Sequence, residues 1–203
     1  MKNLLFLSVL TPVMYAAFDT YLVGTVGGTH ARTNLKEDRF SENDGDMASF
    51  NSWVLGGAFG VLHQENDTFL EVGYQFYGGQ DHYTTTTNGQ TTYYTNFDDG
   101  SDISILVGKY FSTENQPKDM KFRLAIGWMS FDQNYSLDVV TNSTTTYLWD
   151  SSDDYYLLQG ALLFPVENQD FDIEARITFA SEAKSNSPVD SLVYGTLSMI
   201  WPL

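Results

Sequence analysis

Met120-Lys121-Phe122-Arg123-Leu124-Ala125-Ile126-Gly127-Trp128 places apolar side chains at Phe122, Leu124, Ile126 and Trp128, with polar or small ones between them. Side chains alternate across a β-strand, so this rhythm describes a sheet with one apolar and one polar face. Phe171-Asp172-Ile173-Glu174-Ala175-Arg176-Ile177-Thr178-Phe179 repeats it: Phe171, Ile173, Ala175, Ile177 and Phe179 share one side, and Asp172, Glu174 and Arg176 the other. Most of the chain is a period-two object.

The amino terminus says where such a sheet goes. Met1-Lys2-Asn3 is positively charged, Leu4-Leu5-Phe6-Leu7-Ser8-Val9-Leu10 is a short apolar run, and Met14-Tyr15-Ala16-Ala17 offers small residues for cleavage. These are the three regions of a secretory signal peptide, expected over residues 1–16, with the mature barrel domain over residues 17–203. The apolar run is too short to cross ~30 Å of hydrocarbon as a helix. There is no cysteine, so neither a disulfide framework nor a lipid anchor on cysteine is available.

Composition narrows the class. With 10 Lys and Arg against 26 Asp and Glu, a formal charge of -16, the chain would be repelled by nucleic acid. Its richness in Tyr, Phe, Gly, Thr and Asn favours strands and turns over helices.

Eight strands are expected, near Phe18 to Thr29, Phe50 to Leu62, Thr68 to Gly79, Ile103 to Phe111, Met120 to Phe131, Tyr155 to Phe164, Phe171 to Ala180 and Ser191 to Trp201. Each has at least roughly the 9–11 residues that a tilted strand needs to cross a bilayer. The fourth has two registers, because Ile103, Ile105 and Val107 compete with Leu106 and Tyr110 for the apolar face; one of them would turn Lys109 inward. The connections alternate. Gln64 to Asp67, Ser112 to Asp119 and Glu167 to Asp170 are short, whereas His30 to Ser49, Gln80 to Asp102, Gln133 to Asp154 and Ser181 to Asp190 are mostly long. Short turns on one rim and long loops on the other describe an all-β, antiparallel up-and-down transmembrane barrel with periplasmic turns and extracellular loops. Pro117, Pro165, Pro188 and Pro202 fall at strand ends or in connections, where a missing ladder donor does little harm. Asn88-Gly89 and Asn142-Ser143, each flanked by Thr-rich β-formers, read as turns of hairpins extended into water.

A soluble eight-stranded carrier of the lipocalin type would show the same alternation with its faces reversed. Three features favour the membrane. The polar face is crowded with small and polar residues and ions of both signs: Glu71, Gly73 and Gln75, then Lys121, Arg123, Ala125 and Gly127, then Gln159 and Ala161, then Glu174 and Arg176. Most acidic residues lie in the connections instead. Trp53, Tyr74, Phe76, Trp128, Phe131, Tyr156, Phe164, Phe171, Phe179 and Trp201 fall on the apolar side, often near strand ends, as an interfacial girdle requires.

On these residues the whole mature chain resembles the small eight-stranded outer-membrane barrels of Gram-negative bacteria: the OmpA transmembrane domain, OmpX and the opacity-type porin-like proteins. The last strand, Val193-Tyr194-Gly195-Thr196-Leu197-Ser198-Met199-Ile200-Trp201, resembles their C-terminal signal for the barrel-assembly machinery, although Pro202-Leu203 follow where the family ends on the aromatic residue. The resemblance implies an outer-membrane protein, monomeric, surrounded by lipid and lipopolysaccharide, with loops free to meet an extracellular ligand. It implies no cofactor. A non-enzymatic structural or surface-interaction role leads; a narrow channel or a conduit for small hydrophobic molecules, as in the similar OmpW proteins, is the alternative.

Some small outer-membrane barrels modify lipid A, so His30, His63 and His82 are the candidates for catalysis. His63 falls at a periplasmic turn, and His82, beside Asp81, is expected in a solvated loop. No deacylase-like His-x-Ser arrangement accompanies them. The acidic runs Glu42 to Asp46, Asp98 to Asp102 and Asp150 to Asp154 supply oxygen ligands of the kind calcium uses, but none has the EF-hand spacing, and no metal site is assigned. The lumen, by contrast, should hold a polar network of Glu71, Gln75, Lys121, Arg123, Gln159, Glu174 and Arg176, because an eight-stranded barrel is only just wide enough for its own side chains.

Overall fold

The computed structural model describes residues 18–35, 47–80, 86–88, 91–112, 120–183 and 189–203. The expected signal peptide, the Glu42 to Asp46 run, His82 and most of the Ser112 to Asp119 turn lie outside the described residues.

The strands are β1 (Phe18–Leu35), β2 (Met47–His63), β3 (Thr68–Gln80), β4 (Thr86–Asn88), β5 (Thr91–Ser112), β6 (Lys121–Val140), β7 (Thr144–Pro165), β8 (Asp172–Glu182) and β9 (Val189–Pro202). All pairings are antiparallel, and β1 pairs β9, with Val26 opposite Leu197. The short β4 only extends a hairpin onto β5, and β3 pairs β5 directly, so the other eight strands close into a barrel without an edge. Closure satisfies every backbone group within the wall, which a strand crossing hydrocarbon requires. Among the described residues no helix is long and apolar enough to cross a membrane.

Several strands outrun their expected bounds at the long-connection rim. β5 starts at Thr91 rather than Ile103, β6 runs to Val140, and β7 starts at Thr144 rather than Tyr155. The β6–β7 ladder reaches Val140 opposite Thr144, leaving Asn142-Ser143 in the turn. Beyond the apolar outer band alternation fades, while Thr, Tyr and Val still favour extended backbone. At the opposite rim the turns are tight. Asp67 and Asn168 hold positive φ (55° and 63°), which short polar side chains tolerate, and the Asn66 carboxamide oxygen accepts from the Thr68 amide at 3.1 Å.

The fourth crossing resolves in favour of Ile103, Ile105 and Val107 outward, with Leu106 and Tyr110 buried in the lumen and Lys109 exposed at the short-turn rim. Pairing of Val107 with both Leu70 and Ile126 makes this register fit its neighbours, each of which turns its apolar side out. The outer band carries Leu22, Leu55, Val72, Ile105, Ile126, Leu158, Ile177 and Leu197, all at least 43% exposed. A surface so apolar has no stable contact with water over such an extent and matches hydrocarbon.

Close packing inside depends on glycine. A Cβ on Gly127 would lie 2.1 Å from the Ile105 carbonyl oxygen, so the β6 backbone approaches β5 in a way no other residue permits. Gly127→Ala should therefore force the two strands apart and cost about 1–3 kcal/mol, read as a lower denaturant midpoint in detergent.

Candidate functional site

Inward positions of β1, β3, β5, β6 and β8 converge on one ionic centre. Arg123 Nη1 lies 3.1 Å from Glu71 Oε2 and 3.2 Å from Glu174 Oε2, while Arg176 holds Glu71 through Nη1 at 2.8 Å and Nη2 at 3.2 Å and reaches Glu174 through Nε. Exposure of the four side chains does not exceed 5%. Two guanidiniums and two carboxylates make the group neutral. Tyr21 donates to Glu71 at 3.3 Å, Tyr110 donates to Glu174 at 3.3 Å, and the Phe69 ring stacks 3.9 Å from the Arg123 guanidinium carbon. Charges in a dry interior persist only when paired; Arg123 is paired through Nη1, while its Nε and Nη2 are buried without a hydrogen-bond partner.

Of the residues expected in the network, Glu71, Arg123, Glu174 and Arg176 are thus brought together, and three are not. Lys121 faces the lumen side but sits at the short-turn rim, where it pairs with Asp67 at 3.2 Å and keeps a third of its surface in water. Gln159 is buried and donates to Thr178 Oγ1 at 2.9 Å instead of joining the ions. The Oε1 atom of Gln75, on the same strand as Glu71, is buried without a hydrogen-bond partner. Tyr21 and Tyr110 were not singled out by the sequence; a tyrosine on a polar face next to an ion is the signal that would have found them.

Toward the long-connection rim the lumen is filled by aromatics. Phe50 and Phe97 stack at 4.2 Å, Tyr77 and Phe131 meet at 4.8 Å, and Phe131 and Tyr155 meet at 6.1 Å. Phe131, expected in the outer girdle, belongs to this cluster, because strict alternation from Trp128 puts position 131 inside. The others divide by level. Trp53, Tyr74, Phe76, Trp128, Tyr156 and Phe179 are exposed outward on the long-connection half of the wall, and Phe164 and Trp201 on the short-turn half. Phe171 lies just before β8 and is half-buried.

Beyond the barrel, β5, β6 and β7 continue as a sheet. β7 gains its β8 partner only at Tyr155, opposite Glu182, so its backbone from Thr144 to Asp153 has no ladder on that side among the described residues. Leu148, on this stretch, is 77% exposed. Of the candidate catalytic histidines, His30 is exposed and its Nδ1 lies 2.8 Å from Asn51 Oδ1, and His63 packs edge-on against Phe18 at the opposite rim. No group of three or more His, Asp or Glu suited to a metal occurs among the described residues.

No protein-family model and no curated protein matches the sequence. Solved structures do. The N-terminal β-barrel domain of Pseudomonas aeruginosa OprF superposes with a TM-score of 0.53 at 12% identity, over 91% of this chain and 97% of that one. Ail, the attachment invasion locus protein of Yersinia pestis, gives 0.49 at 10% identity over 92% and 99% of the two chains, and the outer membrane protease OmpT from Escherichia coli gives 0.37 at 10% over 92% and 96%. The chain therefore has the fold of the small outer-membrane barrels. Identity at this level speaks for the fold alone.

Proposed function

We propose that this is an integral outer-membrane protein whose barrel is a sealed anchor and whose work is done by the sheet it carries above the membrane. The observation behind this reading is the contrast between the two ends of β5, β6 and β7: inside the lipid band they enclose a buried ion quartet and an aromatic plug, and beyond it they project as a polar sheet. A filled lumen fits an anchor better than a conduit. The backbone along Thr144 to Asp153, which has no ladder on the β8 side among the described residues, and the exposed Leu148 suit capture of an extracellular partner by strand addition. Neither described histidine is placed beside an acid and a nucleophile, which favours a non-enzymatic role. Lipid and lipopolysaccharide surround the girdles, and β9, with Val193, Leu197, Met199 and Trp201 outward, is the segment offered to the barrel-assembly machinery.

Planar-bilayer recordings test the sealed anchor: the wild-type protein should give no large, stable conductance, and a steady channel would promote the porin-like alternative. An epitope inserted at Asn142-Ser143 should be tolerated and labelled on intact cells, because this turn crowns the long-connection rim. Labelling of an insertion at Asn66-Asp67 instead would mean that the barrel is inverted.

A further inference from the structure

The lumen contains one more carboxylate than the quartet balances. Asp102, on β5, is 1% exposed; the Tyr77 hydroxyl donates to its Oδ2, while Oδ1 is buried with no hydrogen-bond partner. Directly opposite in the ladder stands Gln75 of β3, whose Oε1 is likewise buried and unpartnered. Side chains opposite one another in an antiparallel pair have Cβ atoms only about 4.5–5.5 Å apart. Both unpartnered acceptor oxygens thus belong to one cross-strand pair of inward positions.

The next inward pair on the same strands adds little bulk beside them. Gly73 faces Ser104, and a Cβ at position 73 would come within 2.9 Å of the Ser104 hydroxyl. Tyr77 closes the space from the long-connection side, with Phe131 at 4.8 Å and Tyr194 at 6.4 Å around its ring. No cation among the described residues pairs with Asp102: Arg123 gives Nη1 to Glu71 and Glu174 and keeps Nε and Nη2 buried without a partner, Arg176 holds the same two carboxylates, Lys121 pairs with Asp67 at the rim, and Lys109 and Arg32 are exposed. Turning the Gln75 amide over would give Asp102 a donor but leave the lumen with one net negative charge. A buried charge without a counter-charge is strongly unfavourable.

We propose that Asp102 Oδ1 and Gln75 Oε1, with the Ser104 hydroxyl beside them, form an occluded site for a monovalent cation, sodium or potassium. Hard cations take oxygen ligands of this kind. One positive charge neutralises the lumen; a divalent ion would leave it positive, and a single carboxylate is a poor ligand set for one.

The test uses the mature barrel refolded in detergent, with unfolding followed at alkaline pH in sodium or potassium chloride and in N-methylglucamine chloride at equal ionic strength. At a cation concentration ten times the dissociation constant, the folded-to-unfolded ratio should rise about tenfold over the organic salt. Asp102→Asn should show no such difference between salts. Gly73→Ala, which displaces the Ser104 hydroxyl and keeps the carboxylate, should lose the response as well, and Gln75→Leu provides the same reading if Asp102→Asn does not refold. Crystals soaked in rubidium should show an anomalous peak between Asp102 and Gln75. Equal wild-type stability in all three salts, or a cation response that survives in Asp102→Asn, overturns the site. So does a wild type that is insensitive to cations but stabilised as pH falls, since a proton would then neutralise Asp102.

Discussion

Replacing Arg123 with alanine is expected to lower the unfolding free energy by about 3–5 kcal/mol, measured by equilibrium denaturation in detergent or lipid. The side chain is fully buried and holds Glu71 and Glu174 at once, at 3.1 and 3.2 Å. Removing it leaves two carboxylates for Arg176 alone, hence one uncompensated negative charge in a lumen where, among the described residues, Tyr21 and Tyr110 are their remaining hydrogen-bond donors. The lost stacking on Phe69 adds a packing cost. Neutralising the partner should recover part of the loss: in Arg123→Ala with Glu174→Gln the residual charges balance, so the pair should be less destabilised than the sum of the single changes by about 0.5–3 kcal/mol. A loss below about 1 kcal/mol for Arg123→Ala would match a solvated pair and would mean that water reaches the quartet, which would weaken the sealed-lumen reading with it.

That the four ions meet at all was only half legible in the chain. Their common face follows from alternation, since Arg123 shares a side with Ala125 and Glu174 with Arg176. Arg176 and Glu174, two apart on β8, pair along the wall as alternation allows; the other pairs do not follow from it, because the stagger between strands is a property of the closed barrel: in the ladder Arg123 lies beside Ala161 and Tyr110, and Glu71 beside Leu106 and Gly60, so those pairs form across the lumen. The same limit explains Lys121 and Gln159, which have the right face but the wrong level or a nearer partner.

Binary pattern also misreads bulk. A narrow barrel has to fill its interior, and it does so with Leu106, Tyr110, Phe131 and Leu157 as readily as with polar groups. An apolar residue on a strand therefore does not by itself point to lipid. This made the fourth crossing ambiguous and put Phe131 in the wrong girdle, whereas Phe122 to Trp128, with four consecutive outward apolar positions, left no choice. Beyond the closed barrel the pattern carries no information about strand length, since Thr144 to Thr146 are exposed on either side and only the backbone ladder reveals that β7 begins there.

The lipid-facing assignment stands or falls on Ile126→Arg, expected to cost about 2–4 kcal/mol in a bilayer. Ile126 is 64% exposed on the outer wall, flanked across the ladder by Val107 and Leu158, and lies between Phe122 toward the short-turn rim and Trp128 toward the other. Hydrocarbon has no partner for a guanidinium at that depth, and from mid-wall its side chain has farthest to snorkel to the headgroups. The penalty should fall toward the rim, so Phe122→Arg, on the same strand and face, should cost less for the charge, about 0–1 kcal/mol, beyond what its lost ring contacts contribute. Measuring both in vesicles of one lipid separates depth from chemistry. In water the order would vanish, because an exposed arginine at either position would be solvated. Equal stability of Ile126→Arg and wild type, together with a detergent-free soluble monomer, would turn the apolar face away from lipid and return the chain to the soluble-barrel alternative.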